Sequence, residues 1–176
     1  KSLKNFINSS CKLGAYKNPW LYKKYDTQDL FGKLWVERFN QKKIDSLSVL
    51  IDLLKRSGFN LKFFKNKKIL DIGCGSGRFT LAFAKLGAKL SVGVDLGDDG
   101  LKIGKSIAKK NKIKNIKFYK SNVLKLPFKK NSFDFVFCKG VLHHTGNTYR
   151  GLSELKRVLK KNSNAFIYFY GSGGIF

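Results

Sequence analysis

Apolar positions divide the chain into two kinds of segment. Over residues 27–40, Leu30, Phe31, Leu34, Trp35 and Phe39 recur at the three-to-four spacing of one helix face. Over residues 43–57, Ile44, Leu47, Leu50, Ile51 and Leu54 do the same, and Gly58 supplies a stop. Residues 1–27 are mixed and read as loop with a short helix. After residue 66 the pattern changes. Lys68–Ile72 is a short apolar run entering a Gly-rich turn, which predicts a buried strand. Further strands are predicted at 90–94, 116–119, 133–138 and 165–170. Helices are predicted at 78–86, 98–111 and 149–159, and Leu126-Pro127-Phe128 lies in a loop. Strands alternating with helices at this spacing predict an α/β fold: an open, mainly parallel sheet with helices on both faces.

Composition narrows the classes. The chain has 176 residues, of which 43% are apolar, enough for one domain with a real core. No apolar run approaches the ~20 residues of a membrane span. The first fifteen residues hold no apolar block of a secretory signal. Cys11, Cys74 and Cys138 are an odd, scattered set that gives no disulfide framework, and a cytoplasmic location is expected. No Cys/His arrangement suits zinc.

The net charge is +25, from 36 Lys plus Arg against 11 Asp plus Glu. Clustered cations point to nucleic acid through counterion release. Here 31 of the 36 are Lys, spread along the chain, and only five are Arg. Sites that read phosphates or base edges favour the Arg fork. Lys, Asn, Ile and Phe also share A/T-rich codons. The charge therefore reads as compositional, and a nucleic-acid partner is not favoured.

The chemistry concentrates in Ile69-Leu70-Asp71-Ile72-Gly73-Cys74-Gly75-Ser76-Gly77-Arg78. Glycine allows the tight turn and bares backbone to a ligand. The following helix start offers unpaired N–H groups and a positive dipole end. In open parallel sheets, ligands bind beyond the carboxyl ends of the strands. A dinucleotide site wants Gly-x-Gly-x-x-Gly. The sixth position counted from Gly73 is Arg78, which argues against NAD or FAD. Asp95 closes the second strand, where an acid can accept hydrogen bonds from both hydroxyls of a ribose.

Further motifs follow in order: Ser121-Asn122-Val123-Leu124-Lys125-Leu126-Pro127-Phe128, Ser132-Phe133-Asp134-Phe135-Val136, Val141-Leu142-His143-His144, and Glu154-Leu155-Lys156-Arg157-Val158-Leu159. With the glycine turn and its preceding Asp71, they resemble the successive motifs of class I S-adenosylmethionine-dependent methyltransferases of the small-molecule type. The resemblance covers roughly residues 67–171. It implies a Rossmann-like methyltransferase domain over 67–176 that binds S-adenosylmethionine, with residues 1–66 as an N-terminal helical segment and substrate cap. Such a fold continues past the fifth strand. The chain is therefore expected to be a fragment, truncated there, with residues 165–170 as an exposed apolar edge.

The resemblance also implies roles. Gly73, Gly75 and Gly77, with Cys74 in the turn, lie against the methionine part of the cofactor. Asp71 organises the turn and meets the cofactor's amino group. Asp95 holds the ribose and Leu96 lines the adenine. Asn122 and Val123 flank the adenine edge, although the family often has Asp where Asn122 stands. Cys138, Lys139 and Gly140 border the sulfonium and the substrate. His143 and His144 are the candidate catalytic bases, since a neutral histidine can accept a proton. Asp134 reads as fold support, and Glu154 with Arg157 as a structural pair on one helix.

After the fourth strand there is no Asn-Pro-Pro-Tyr or Asp-Pro-Pro-Tyr, a tetrapeptide of many amino-methylating enzymes. Cys138 lacks the Pro-Cys or Thr-Cys context of cytosine methylation. The first reading is methylation of a small molecule, lipid or quinone-type. The second is an RNA methyltransferase using the basic surface; an uneven Lys distribution around the substrate mouth would favour it. The third is a non-catalytic binding module.

Overall fold

A computed structural model describes residues 46–169. The helix expected at 27–40 and Cys11 lie outside them. Five strands form one all-parallel sheet: β1 (Lys68–Ile72), β2 (Leu90–Asp95), β3 (Ile116–Lys120), β4 (Phe133–Lys139) and β5 (Leu159–Tyr168), in spatial order β3-β2-β1-β4-β5. Among the described residues four α-helices accompany them: α1 (Ser46–Arg56), α2 (Arg78–Lys85), α3 (Asp98–Lys110) and α4 (Thr148–Val158). The expected α/β, Rossmann-like fold is the one observed.

β1 and β4 are central, and their sequences are nearly continuous apolar runs because both faces are covered. Alternation sends Ile69, Phe135 and Phe137 to one face. They pack there with Leu50 and Leu54 of α1, Phe64, and Phe79 and Phe83 of α2. Leu70, Ile72, Val136 and Cys138 face the other way, onto Leu155 and Val158 of α4 and onto Val123 and Leu126. Part of the N-terminal segment is thus built into the core: Leu50, Leu54 and Phe64 are fully buried.

Four strand boundaries depart from expectation. β2, β3 and β4 each run one residue further toward their carboxyl ends. β5 begins at Leu159 rather than at 165, immediately after α4. The polar stretch Lys160–Asn164 reads as loop by hydropathy. It sits in the sheet as an irregularity: Phe133 pairs with Leu159, but Phe135 pairs with Asn164, and Asn162 takes φ 58°. Among the described residues β5 is an edge strand. No helix of the described residues is long and apolar enough to cross a membrane.

Candidate functional site

The strand order reverses at β1 and β4, and the carboxyl ends of β2, β1 and β4 open there into one cavity of about 370 Å³. The glycine turn forms its floor. Gly73 and Cys74 N–H groups both donate to the Val94 carbonyl, at 2.8 and 3.0 Å, so the turn is tied to β2. Gly73, Gly75 and Gly77 all have positive φ, which only glycine adopts at little cost. At Gly100, on the first turn of α3, an added Cβ would lie 2.7 Å from the Gly75 carbonyl group. The bare Cα is what lets α3 close against the turn.

Two carboxylates meet on this floor. Asp95 accepts from Gly75 N–H at 2.8 Å through one oxygen and from Gly97 N–H at 2.9 Å through the other. It therefore shapes both flanking loops, and each oxygen keeps a second lone pair. Asp71 is buried and accepts from the Thr80 hydroxyl at 2.6 Å. Burial raises its pKa to about 7, and the Asp95 charge adds to the rise, against the Thr80 hydrogen bond.

The wall nearest β3 is the 121–128 loop, held from behind by α4. Leu126 N–H donates to Glu154, Arg157 donates to the carbonyls of Phe128 and Leu126, and Arg150 donates to that of Leu124. Asn122 accepts from Leu124 N–H at 2.8 Å through its side-chain oxygen. That leaves its amide N–H groups as donors toward the cavity it lines.

At the β4 end the wall is Phe137, Lys139, Gly140, Val141 and His144. His144 is half-buried, and burial lowers its pKa. Burial and the neighbouring His144 push His143 down to about 4. Both imidazoles are therefore neutral near pH 7. Their rings sit 4.0 Å apart, centroid to centroid.

Of the residues singled out from sequence, the cavity brings together Asp71, Gly73, Cys74, Gly75, Asp95, Leu96, Asn122, Val123, Lys139, Gly140 and His144. Three do not line it. Cys138 points into the core, because strand alternation turns it away from the face of Phe137 and Lys139. Gly77 lies under the Phe118 ring, 2.4 Å from where its Cβ would be, and serves the turn. His143 stands behind His144, toward Phe169. Thr80, Gly100 and the Arg150 contact were not singled out, and Val141 was named only within the His-containing motif. Thr80 sits nine residues from Asp71 and reveals itself only once α2 folds back on β1.

The wall and floor suit S-adenosylmethionine. A buried carboxyl held near neutrality calls for a cation, and the ligand carries an ammonium and a sulfonium. Asp95 offers acceptors for a ribose, and Leu96 and Val123 offer apolar surface for a base.

Comparison with known proteins agrees. Residues 63–168 match the family model described as a methyltransferase domain. An uncharacterized methyltransferase of Bacillus subtilis, YcgJ, is 32% identical over 95 residues, covering 54% of this chain and 37% of that protein. Its crystal structure superposes with a TM-score of 0.57 at 28% identity, over 68% of this chain and 48% of that one. The ubiquinone biosynthesis O-methyltransferase of Pelagibacter ubique is 36% identical over 107 residues, 60% of this chain and 43% of that protein. A SAM dependent methyltransferase from Aquifex aeolicus superposes with a TM-score of 0.55 at 26% identity, over 60% of this chain and 58% of that one. The chain thus spans less than half the length of these curated relatives. With a family match over most of the described residues and the fold of solved methyltransferases, the chain belongs to the methyltransferase domain family.

Proposed function

We propose that the protein binds S-adenosylmethionine in this cavity and transfers its methyl group to a small-molecule acceptor, of lipid or quinone type. The observation that carries the reading is the pairing of Asp71 and Asp95 on the floor of a glycine-turn cavity. S-adenosylmethionine supplies an activated methyl group on a sulfonium. Asp71 and the backbone at Gly73 and Gly75 hold the methionine end. Asp95 holds the ribose, and Leu96, Asn122 and Val123 surround the adenine. Lys139, Gly140 and His144 border the acceptor. His144 is neutral and positioned to take a proton from a hydroxyl acceptor. The protein's other task is to align acceptor and donor and exclude water.

The quinone-type acceptor is supported by the likeness to the ubiquinone biosynthesis O-methyltransferase. An RNA acceptor is less well supported. The cavity wall holds two cations, Arg78 and Lys139, against two carboxylates, not a concentration of the chain's lysines. Calorimetric titration with S-adenosylhomocysteine beside NAD tests the reading. Binding of the first and not the second is expected. NAD binding, or no binding by a folded chain, overturns it.

A further inference from the structure

The lysines are spread along the chain, but the fold gathers many of them at one end. In a parallel sheet every segment that enters a strand lies at the amino edge, here opposite the cavity. Each of the five entries brings an exposed lysine: Lys68 at β1, Lys89 at β2, Lys114 at β3, Lys130 at β4 and Lys160 at β5. Each entry also carries a second lysine close by in the chain. Neighbouring strands stand about 4.8 Å apart, so the order β3-β2-β1-β4-β5 sets the five in a row of ~20 Å. The length of β1, ~15 Å, separates that row from the glycine turn.

Composition does not account for this placement, since uniform enrichment would load both ends alike. At the cavity end, Asp98 pairs with Lys120 and Asp99 with Lys102. Among the described residues the strand entries offer one carboxylate, Asp134, and the Lys68 N–H and the Lys160 ammonium both donate to it. No ion pair among the described residues engages Lys89, Lys114 or Lys130. Helix dipoles do not explain the row either. A cation offsets a helix C-terminus, as Lys85 does for α2, but none of the five lies in a helix.

Like charges at this spacing repel until an extended anion lies along them. The row matches about six phosphates of one nucleic-acid strand, at about 3.4 Å each. Lysine, a point charge without the Arg fork, suits phosphates and not base edges. Exposed aromatic rings that would stack unpaired bases stand elsewhere, Tyr119 and Tyr168 at the carboxyl ends of β3 and β5 and Tyr149 at the start of α4. We propose that the amino end of the sheet is a docking surface for the phosphate backbone of a double-stranded nucleic acid, held without sequence preference and away from the cavity. An anionic membrane fits less well. The strand entries among the described residues expose no large apolar side chain to insert among lipids. A membrane held there would also face away from the cavity. The nucleic acid is a tether, not the methyl acceptor, and the inference does not depend on the methyl-transfer reading.

The test is fluorescence anisotropy of the 176-residue chain with short labelled RNA duplexes of two unrelated sequences, and a DNA duplex of one of them, between about 50 and 200 mM salt. The two RNA sequences are expected to bind within about twofold of each other, with a slope of log affinity against log salt steeper than about −3. The tighter of RNA and DNA identifies the source of the backbone. The triple variant Lys89→Gln, Lys114→Gln, Lys130→Gln is expected to lose at least about tenfold in affinity and to flatten the slope by about 2–3. Removing the same charge at the cavity end, by Lys102→Gln, Lys120→Gln and Lys125→Gln, should cost about threefold or less. Circular dichroism establishes that both variants are folded. Saturating S-adenosylhomocysteine should change duplex affinity by less than about twofold. No binding, a shallower slope in the wild type, or equal losses in the two triple variants overturns the proposal, the last because net charge alone would then explain binding. A larger effect of S-adenosylhomocysteine overturns the placement away from the cavity. Displacement of the duplex by vesicles of equimolar phosphatidylserine and phosphatidylcholine, at equal accessible charge, assigns the surface to a membrane and overturns the proposal as well.

Discussion

Arg157 grips Glu154 through two parallel hydrogen bonds, Nε to one carboxylate oxygen at 2.8 Å and Nη2 to the other at 2.7 Å. The pair does not stop at itself. Its remaining donors and acceptors end on Leu126 and Phe128, in the loop that forms one cavity wall. A motif that reads on a helix as an ordinary i, i+3 pair is the fastening of that wall.

Glu154 is buried, while Arg157 is a third exposed. Removing the carboxylate leaves the Leu126 N–H without its acceptor and the guanidinium with only its two loop carbonyls. Glu154→Ala is expected to cost about 2 kcal/mol in denaturant unfolding, below the usual value for a fully buried pair. The hydrogen bond from Arg157 is the main cause of the lowered Glu154 pKa. Its contribution is therefore present above the ordinary carboxylate range and is lost as pH falls through the lowered value. The wild type should lose its advantage over Glu154→Gln only in acid.

Gly100→Ala opposes two effects. Alanine is the better helix residue by about 1 kcal/mol. The new Cβ, however, meets backbone atoms of Gly75 at 2.7 Å, and backbone cannot step aside cheaply. The clash wins, because overpacking costs about 1–3 kcal/mol and here it displaces the turn itself. Net destabilisation and at least about a tenfold loss of S-adenosylhomocysteine affinity are expected by calorimetry. A more stable variant with unchanged affinity would refute the close-approach argument.

Asp71 gives a pH signature. Its pKa rises from 3.8 to about 7 on folding, chiefly through burial. The folded state thus binds the extra proton between those values. The contribution is fully present below about pH 4 and is lost as pH rises through about 7. The stability of the wild type relative to Asp71→Asn should fall over that interval and level off above it. A ligand that brings an ammonium to Asp71 should expel the proton. Titration with S-adenosylhomocysteine at pH 6, in buffers of different ionisation enthalpy, should show proton release in the wild type and none in Asp71→Asn.

Cys74 and Cys138 are both buried, and burial pushes both thiols far from ionisation. Neither should be alkylated by iodoacetamide in the folded protein at pH 7, while both should react in denaturant. Mass spectrometry of the two peptides distinguishes these outcomes.

The alternation of apolar runs was enough to read the strand-helix order, because a sheet covered on both faces writes long apolar runs into β1 and β4. The polar start of β5 was not readable, since Lys160–Ser163 form the irregularity between the Phe133–Leu159 and Phe135–Asn164 register pairs, which no hydropathy pattern marks. In the site, the turn and Asp95 were legible because glycine and acid spacing follow from local geometry. The Thr80–Asp71 hydrogen bond, the α3 approach at Gly100 and the reach of Arg157 to the loop were not. Each joins residues that meet only after a helix has packed back on the sheet. Cys138 was misplaced for a related reason: proximity to the cavity along the chain does not fix which face a strand residue takes.

The central claim is that the carboxylate floor of the cavity holds the methyl donor through Asp95. The most direct measurement is calorimetric titration of S-adenosylhomocysteine into the wild type, Asp95→Ala and Asp95→Asn, each first shown to be folded by circular dichroism. The account predicts one-to-one binding by the wild type and a loss of at least about tenfold in both variants, worth about 1.4 kcal/mol or more. Equal affinity in all three, with the fold intact, would contradict it.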